Sequence, residues 1–248
     1  MEELISAFIE RRVAEAGTRT VYRRPIVGFA DALDELFHKV RQTCGPQHLM
    51  PSDLLADARG VVAFFVPFTA GLVRLNARDT YIAREWALAY IETNRLIGEL
   101  CTDLAAELKS RGVKAAWVAP THEFDAERLV ATWSHRHVAY VAGLGTFGLN
   151  NMLITAAGCA GRLGSVVIDA PVQPTARPSE ELCRHYRGRR CVVCVQRCPI
   201  GALTLEGFDR KRCYAHLLQV NSHFSDLPLC DVCGKCATGP CALTVPGL

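Results

Sequence analysis

Nine of the twelve cysteines lie between Cys183 and Cys241, and they limit what the carboxy-terminal part of the chain can be. A reduced, cytoplasmic setting is expected, so cysteines this dense read as metal ligands before disulfides. The centre of the segment is Cys191-Val-Val-Cys194-Val-Gln-Arg-Cys198-Pro199, or C-x2-C-x3-C-P. This is a bacterial ferredoxin run whose first cysteine is replaced by Gly188. Cys183 precedes it; Cys213, Cys230, Cys233, Cys236 and Cys241 follow. Two [4Fe–4S] clusters need eight thiolates, and the cysteine before Pro serves the other cluster in two-cluster ferredoxins. By that rule Cys183, Cys191, Cys194 and Cys241 form one set. Cys198, Cys213, Cys233 and Cys236 form the other. Cys230 is spare, or else it replaces Cys183 or Cys236. Zinc is the competing metal, since paired C-x2-C is also zinc-ribbon spacing. Against it stand the density of the central run, the Cys-Pro junction and the lack of a histidine at finger spacing. Cys44, Cys101 and Cys159 read as ordinary buried thiols.

At 248 residues the chain can build one large core or two smaller ones. Half its residues are apolar and 21% are charged, as in a folded globular protein. A net charge of +3 is too small to argue for a nucleic-acid partner. Glu2, Glu3, Glu10, Arg11, Arg12 and Glu15 interrupt the amino terminus, unlike a secretory signal. No run of about 18 apolar residues occurs, so no membrane span is expected.

Leu4, Ile5, Phe8, Ile9 and Val13 predict a helix over 3–16. A loop at Tyr22–Pro25 follows, then a helix over Ala30–Arg41 with Leu33, Leu36, Phe37 and Val40 inward. Gly45–Ser52 is a connection. Val61–Phe68 is the clearest buried strand, continuous and rich in β-branched and aromatic residues. Asp79–Arg111 predicts the longest helix, stopped by Gly112, and Val113–Ala119 a second strand, which together make a crossover unit. A helix over Asp125–Trp133 and a strand over Leu163–Ile168 complete this part. Pro171, Pro174 and Pro178 place a boundary near residue 175, giving domains 1–175 and 176–248. The second, built of short elements, would need metal to hold it.

Gly143-Leu-Gly145-Thr-Phe-Gly148 matches G-x-G-x-x-G, and Asp169 lies 21 residues beyond. A dinucleotide site needs a strand before that run and a helix opening from it. Val130–Ala142 reads instead as helix, and Leu149–Thr155 as a turn and short strand. The longer pattern is Ala142-Gly-Leu-Gly-Thr-Phe-Gly-Leu-Asn150, then Leu153-Ile-Thr155, then Arg162–Asp169 closing in Asp169-Ala-Pro171. It resembles the cobalamin-dependent epoxyqueuosine reductases and reductive dehalogenases, over roughly Val61 to Cys241. The resemblance implies an α+β fold, a nitroreductase-like corrinoid domain followed by a two-cluster ferredoxin-like module. It also implies that Gly143, Leu144, Gly145, Thr146, Gly148 and Asn150 lie against the corrinoid.

This sequence departs from the family at several places. The family spacing of the epoxyqueuosine reductases' catalytic aspartate lands on Leu129, and Asp125 is the nearest acid. Trp133-Ser-His135-Arg-His137 replaces an acidic helix. The tRNA-contacting helical repeats are expected to be absent, and no Asp-x-His-x-x-Gly run supports lower-face ligation of a corrinoid. His135 and His137, beside the glycine loop, are candidate proton donors. Tyr90 and Tyr140 are weaker ones.

Arg184, Arg187, Arg189, Arg190, Arg210, Lys211 and Arg212 surround the cysteines. They are a solvated surface or a dock for an acidic donor of ferredoxin or flavodoxin type. The leading reading is a cytoplasmic iron–sulfur oxidoreductase that passes electrons through two clusters to cobalamin, for reduction of a small molecule or of a corrinoid-protein acceptor. The alternatives are an electron-transfer protein that reduces a partner's corrinoid or cluster, and a zinc-stabilised interaction module.

Overall fold

The computed structural model describes residues 1–78, 81–119, 124–125 and 127–247. The helices are α1 (Glu2–Ala14), α2 (Leu36–Cys44), α3 (Pro51–Leu54), α4 (Ala70–Arg78), α5 (Arg84–Ser110), α6 (His135–Val141), α7 (Val193–Gln196) and α8 (Arg210–His223). The strands are β1 (Ile26–Asp31), β2 (Gly60–Pro67), β3 (Ala115–Ala116), β4 (Phe124–Asp125), β5 (Val130–Ala131), β6 (Gly145–Phe147), β7 (Leu153–Thr155) and β8 (Gly161–Ile168).

Strand β2 is buried along its whole length. Its side chains alternate between two cores, as the pleat requires. Val61, Ala63 and Phe65 face a layer that includes α2 and α6. Val62, Phe64 and Val66 face α1 and α5. A sheet covered on both sides needs no polar alternation, hence the unbroken apolar run. Fully burying each Val or Phe side chain contributes about 1.5–3 kcal/mol. The sheet order is β1-β2-β8-β3, with every neighbouring pair antiparallel. The expected crossover therefore holds in a modified form: β2 and β3 run parallel, with β8 between them.

Helix α5 links the sheet to the cysteine-rich segment. Its 27 residues span about 40 Å. Leu96, Ile97, Leu100, Leu104 and Leu108 pack on the sheet. Trp86, Ala89 and Tyr90 pack with Val220 of α8, with Phe224 just past its end and with Cys230. The helix ends as expected: Gly112, at φ 78°, donates to Lys109 O, and Val113 N donates to Leu108 O. The cysteine-rich segment is also joined to the edge of β8, through Cys159 N to Cys241 O at 2.9 Å and Ala160 N to Ala242 O at 3.0 Å. Among the described residues no helix is long and apolar enough to cross a membrane.

Several elements differ from expectation. The helix over Ala30–Arg41 is instead the end of β1, a turn and α2. Asp31 and Asp34 accept from Leu33 N and Leu36 N, which favours the turn, and Leu33 is 79% exposed rather than inward. The helix over Asp125–Trp133 is a β4–β5 hairpin. The Asp125 carboxylate accepts from Glu127 N and Arg128 N, and Leu129 takes φ 53°. The second strand shortens to β3. The long helix was expected from Asp79, which lies outside the described residues. Helix α8, 14 residues long, contradicts the expectation of only short elements near the cysteines.

Candidate functional site

The clustered cysteines divide between two cavities. Cys183, Cys191, Cys194 and Cys241 line one, with Asn150 and Ile154 beside them. Cys198, Cys213, Cys233 and Cys236 line the other, with Asn150, Cys159 and Lys235. These are the two sets read from the spacing. Cys230 lines neither cavity and is fully buried against Val220 and Phe224. Gly188, where a ferredoxin carries its first cysteine, sits at φ 75° in a turn with open space on its Cβ side. Cys183 reaches the cavity instead, and is buried.

Electrostatics follows the same division. Burial, then the neighbouring Cys241, Cys183 and Cys191, pushes the Cys194 thiol up to about 11. Burial, then Cys233 and Cys198, pushes Cys213 to about 11. Thiols held this close resist ionising together unless a cation joins them. Part of that compensation is built in. The Lys235 side chain is 4% exposed, donates to Asn76 O at 2.6 Å and lowers the Cys233 pKa against a larger burial effect. Asn76, fully buried on α4, donates through Nδ2 to Cys233 O at 3.0 Å. Ala202 N donates to Cys198 Sγ at 3.2 Å.

The glycine loop braces this arrangement. Asn150 donates from Nδ2 to Cys236 O at 3.0 Å, and its Oδ1 accepts from Met152 N at 3.2 Å. Thr146 Oγ1 accepts from Leu182 N at 2.8 Å. A Cβ on Gly145 would collide with the Ile154 carbonyl, so glycine lets β6 and β7 close on each other. Of the six loop residues, Asn150 lines both cysteine cavities. Gly143, Leu144, Gly145, Thr146 and Gly148 line none of the cavities described here.

Two more cavities, of about 380 and 470 Å³, adjoin the second cysteine set. All three spaces share the walls Arg162, Phe208, Cys213 and Leu217. They form one cleft between β8, α6 and α8, in the size class of organic cofactor sites. His135 lines one part and His137 another. Ser165 Oγ accepts from Trp133 Nε1 at 2.9 Å and lies 2.8 Å from His135 Nδ1. Either group can donate in that contact, and His135 Nε2 is buried without a hydrogen-bond partner among the described residues. Burial, then Arg162, pushes His135 down to about 4. Burial, then Arg136, does the same to His137. Both rings are neutral at pH 7, so neither carries an imidazolium proton. Tyr90, by contrast, donates to Asp231 Oδ1 at 2.7 Å and is pushed up to about 12, chiefly by burial. Arg162 lies 4.3 Å from the Tyr90 ring centroid. Tyr140 packs on Phe147.

Cys159 is a residue that sequence reasoning missed. It lines the second cavity, and its Sγ is 3.8 Å from Cys241 Sγ of the first set. No spacing rule could find it, because the two meet only when β8 pairs with the carboxy-terminal segment. Asp125 is spent on its turn, while Leu129 lines the cavity of about 380 Å³.

No protein-family model matches the chain. The epoxyqueuosine reductase of Staphylococcus aureus is 27% identical over 184 residues, covering 71% of this chain and 44% of that protein. That of Yersinia pestis is 36% identical over 84 residues, 33% of this chain and 19% of that one. The epoxyqueuosine reductase structure from Bacillus subtilis matches with a TM-score of 0.61 at 18% identity, over 97% of this chain and 66% of that one. The chain is similar to the epoxyqueuosine reductases in sequence and in fold. A catabolic reductive dehalogenase shares the fold, with a TM-score of 0.61 at 14% identity over 96% of this chain and 32% of that one. The resemblance read from Ala142–Asp169 is borne out, as is a mixed helix-and-sheet fold. The chain spans less than half the length of the curated relatives it matches.

Proposed function

We propose that this chain is an iron–sulfur oxidoreductase related to the epoxyqueuosine reductases, with two [4Fe–4S] clusters and a corrinoid in the cleft. One observation carries the reading: each cysteine set surrounds its own cavity, and Cys213 of the second set also forms a wall of the cleft. The donor set fits, since soft thiolates are the ligands of cubane clusters. Zinc fits less well, because the C-x2-C-x3-C-P run packs three cysteines more densely than separated zinc knuckles do. A reductive dehalogenase structure of the same fold is described in terms of B12-dependent dehalogenation, which supports a corrinoid here. In this reading residues 1–175 form the nitroreductase-like part and 176–248 the ferredoxin-like part.

When bound, the clusters supply electrons one at a time and the corrinoid a low-potential cobalt reductant. The chain's residues hold and shape the site. Asn150 ties the glycine loop to the second cysteine set, Lys235 offsets thiolate charge, and Phe208 and Leu217 line the space beside Cys213. Exposed Arg189 and Arg190 flank Cys191 and would dock an acidic electron donor. The Bacillus subtilis relative is described with a catalytic aspartate loop. The family spacing lands on Leu129, and a leucine there argues for a substrate other than the one those relatives are named for. Anaerobic purification with metal analysis tests the proposal. About eight irons per chain, with stoichiometric uptake of added cobalamin, support it. Zinc without iron contradicts it.

A further inference from the structure

We propose that the cleft grips its substrate through an oxyanion, a carboxylate or phosphate held by Arg136, Arg162 and Arg210. The assignment rests on the cleft being the substrate compartment of the oxidoreductase proposed above. The three arginines come from α6, β8 and the first residue of α8, and all line the cavity of about 380 Å³ beside Cys213. They are distant in sequence, so only the fold brings them together. Their charges repel: Arg136 feels both Arg210 and Arg162. Among the described residues one acid, Asp231, lines the same cavity, and its carboxylate accepts from Tyr90. His137 is neutral at pH 7. Among the described residues none of the three arginines forms an ion pair.

Arg162 feels the Asp231 carboxylate, which leaves three cations facing one acid among the described residues. Arg136 Nη1 donates to Asn151 O at 2.6 Å. Arg162 lies over the Tyr90 ring, and its Nε is buried without a hydrogen-bond partner among the described residues. Guanidinium groups present paired N–H donors that match carboxylate and phosphate oxygens. The cavity's other walls include Phe124, Phe208, Tyr214 and Leu217. A cation-rich end and apolar, partly aromatic walls describe a pocket for a small apolar molecule that bears an acidic group.

The test is titration calorimetry on cluster-loaded, corrinoid-treated protein with benzoate, inorganic phosphate and neutral benzamide. The variant is Arg136→Gln with Arg210→Gln, two exposed residues, its folding checked by circular dichroism. Benzoate or phosphate is expected to bind wild type at least about tenfold more tightly than benzamide and to weaken by a similar factor in the variant. Preference for benzoate identifies a carboxylate, and preference for phosphate a phosphate ester. Equal binding of benzamide, no binding of either anion, or unchanged affinity in the variant overturns the proposal. So does a variant that loses cobalamin but keeps cobinamide, which lacks the nucleotide phosphate, since the arginines would then belong to the cofactor. Iron and corrinoid content, measured on the same samples, separates failure of this proposal from failure of the oxidoreductase reading.

Discussion

Asn150→Ala removes the amide that joins the glycine loop to the second cysteine set. Asn150 is 4% exposed. Truncation strips the Cys236 carbonyl of its donor and the Met152 N–H of its acceptor, both part-buried. Each buried group left unpaired costs about 1–3 kcal/mol. Water entering the adjoining cavity offsets part of this, so a net loss of about 2–4 kcal/mol is expected. At about 2–4 °C per kcal/mol for a chain of this size, the melting temperature should fall by roughly 5–15 °C. Asn150→Asp should cost more, because it puts a carboxylate against a carbonyl and beside the thiolates. The assay is anaerobic scanning calorimetry of iron-loaded protein. A shift under about 2 °C for the alanine variant, or an aspartate variant as stable as wild type, would refute the bracing role.

Two further outcomes follow from the site. His135 and His137 sit near 4 in the folded protein but titrate near 6.5 when unfolded. Between those values the unfolded chain binds more protons. Stability should therefore fall as pH drops from about 6.5 toward 4, by up to about 1.4 kcal/mol per unit for each ring, and be insensitive to them above about 7. Urea unfolding between pH 5 and 7.5 reads this slope, and a flat profile contradicts it. Cys159→Ala should retain full iron but make one cluster harder to reduce, since it removes a thiol beside Cys241 and hydrogen bonds to cluster sulfurs raise the potential. A redox titration followed by electron paramagnetic resonance checks this, and an unchanged potential counts against it.

The sequence was legible where one local pattern decided the outcome. Val61–Phe68 could only be a strand buried on both faces, and Leu96 to Leu108 only a helix packed on it. The spacing divided eight of the clustered cysteines into the same two groups that line the two cavities. Local competition hid other elements. Asp31, Asp34 and Asp125 carry side chains that bond nearby backbone, and they turned predicted helices into turns. Tertiary encounters hid the rest. Cys159 meets Cys241, and Arg136, Arg162 and Arg210 share a cavity, only after β8, α6 and α8 assemble. The glycine loop shows how a motif can mislead: Gly145 is needed for closure on Ile154, whatever lies beyond.

Iron and acid-labile sulfide per chain, measured in wild type, Cys183→Ser and Cys230→Ser, test the central claim most directly. The account predicts about eight irons in wild type and in Cys230→Ser, and about four in Cys183→Ser. Loss of a cluster from Cys230→Ser with full iron in Cys183→Ser would contradict it.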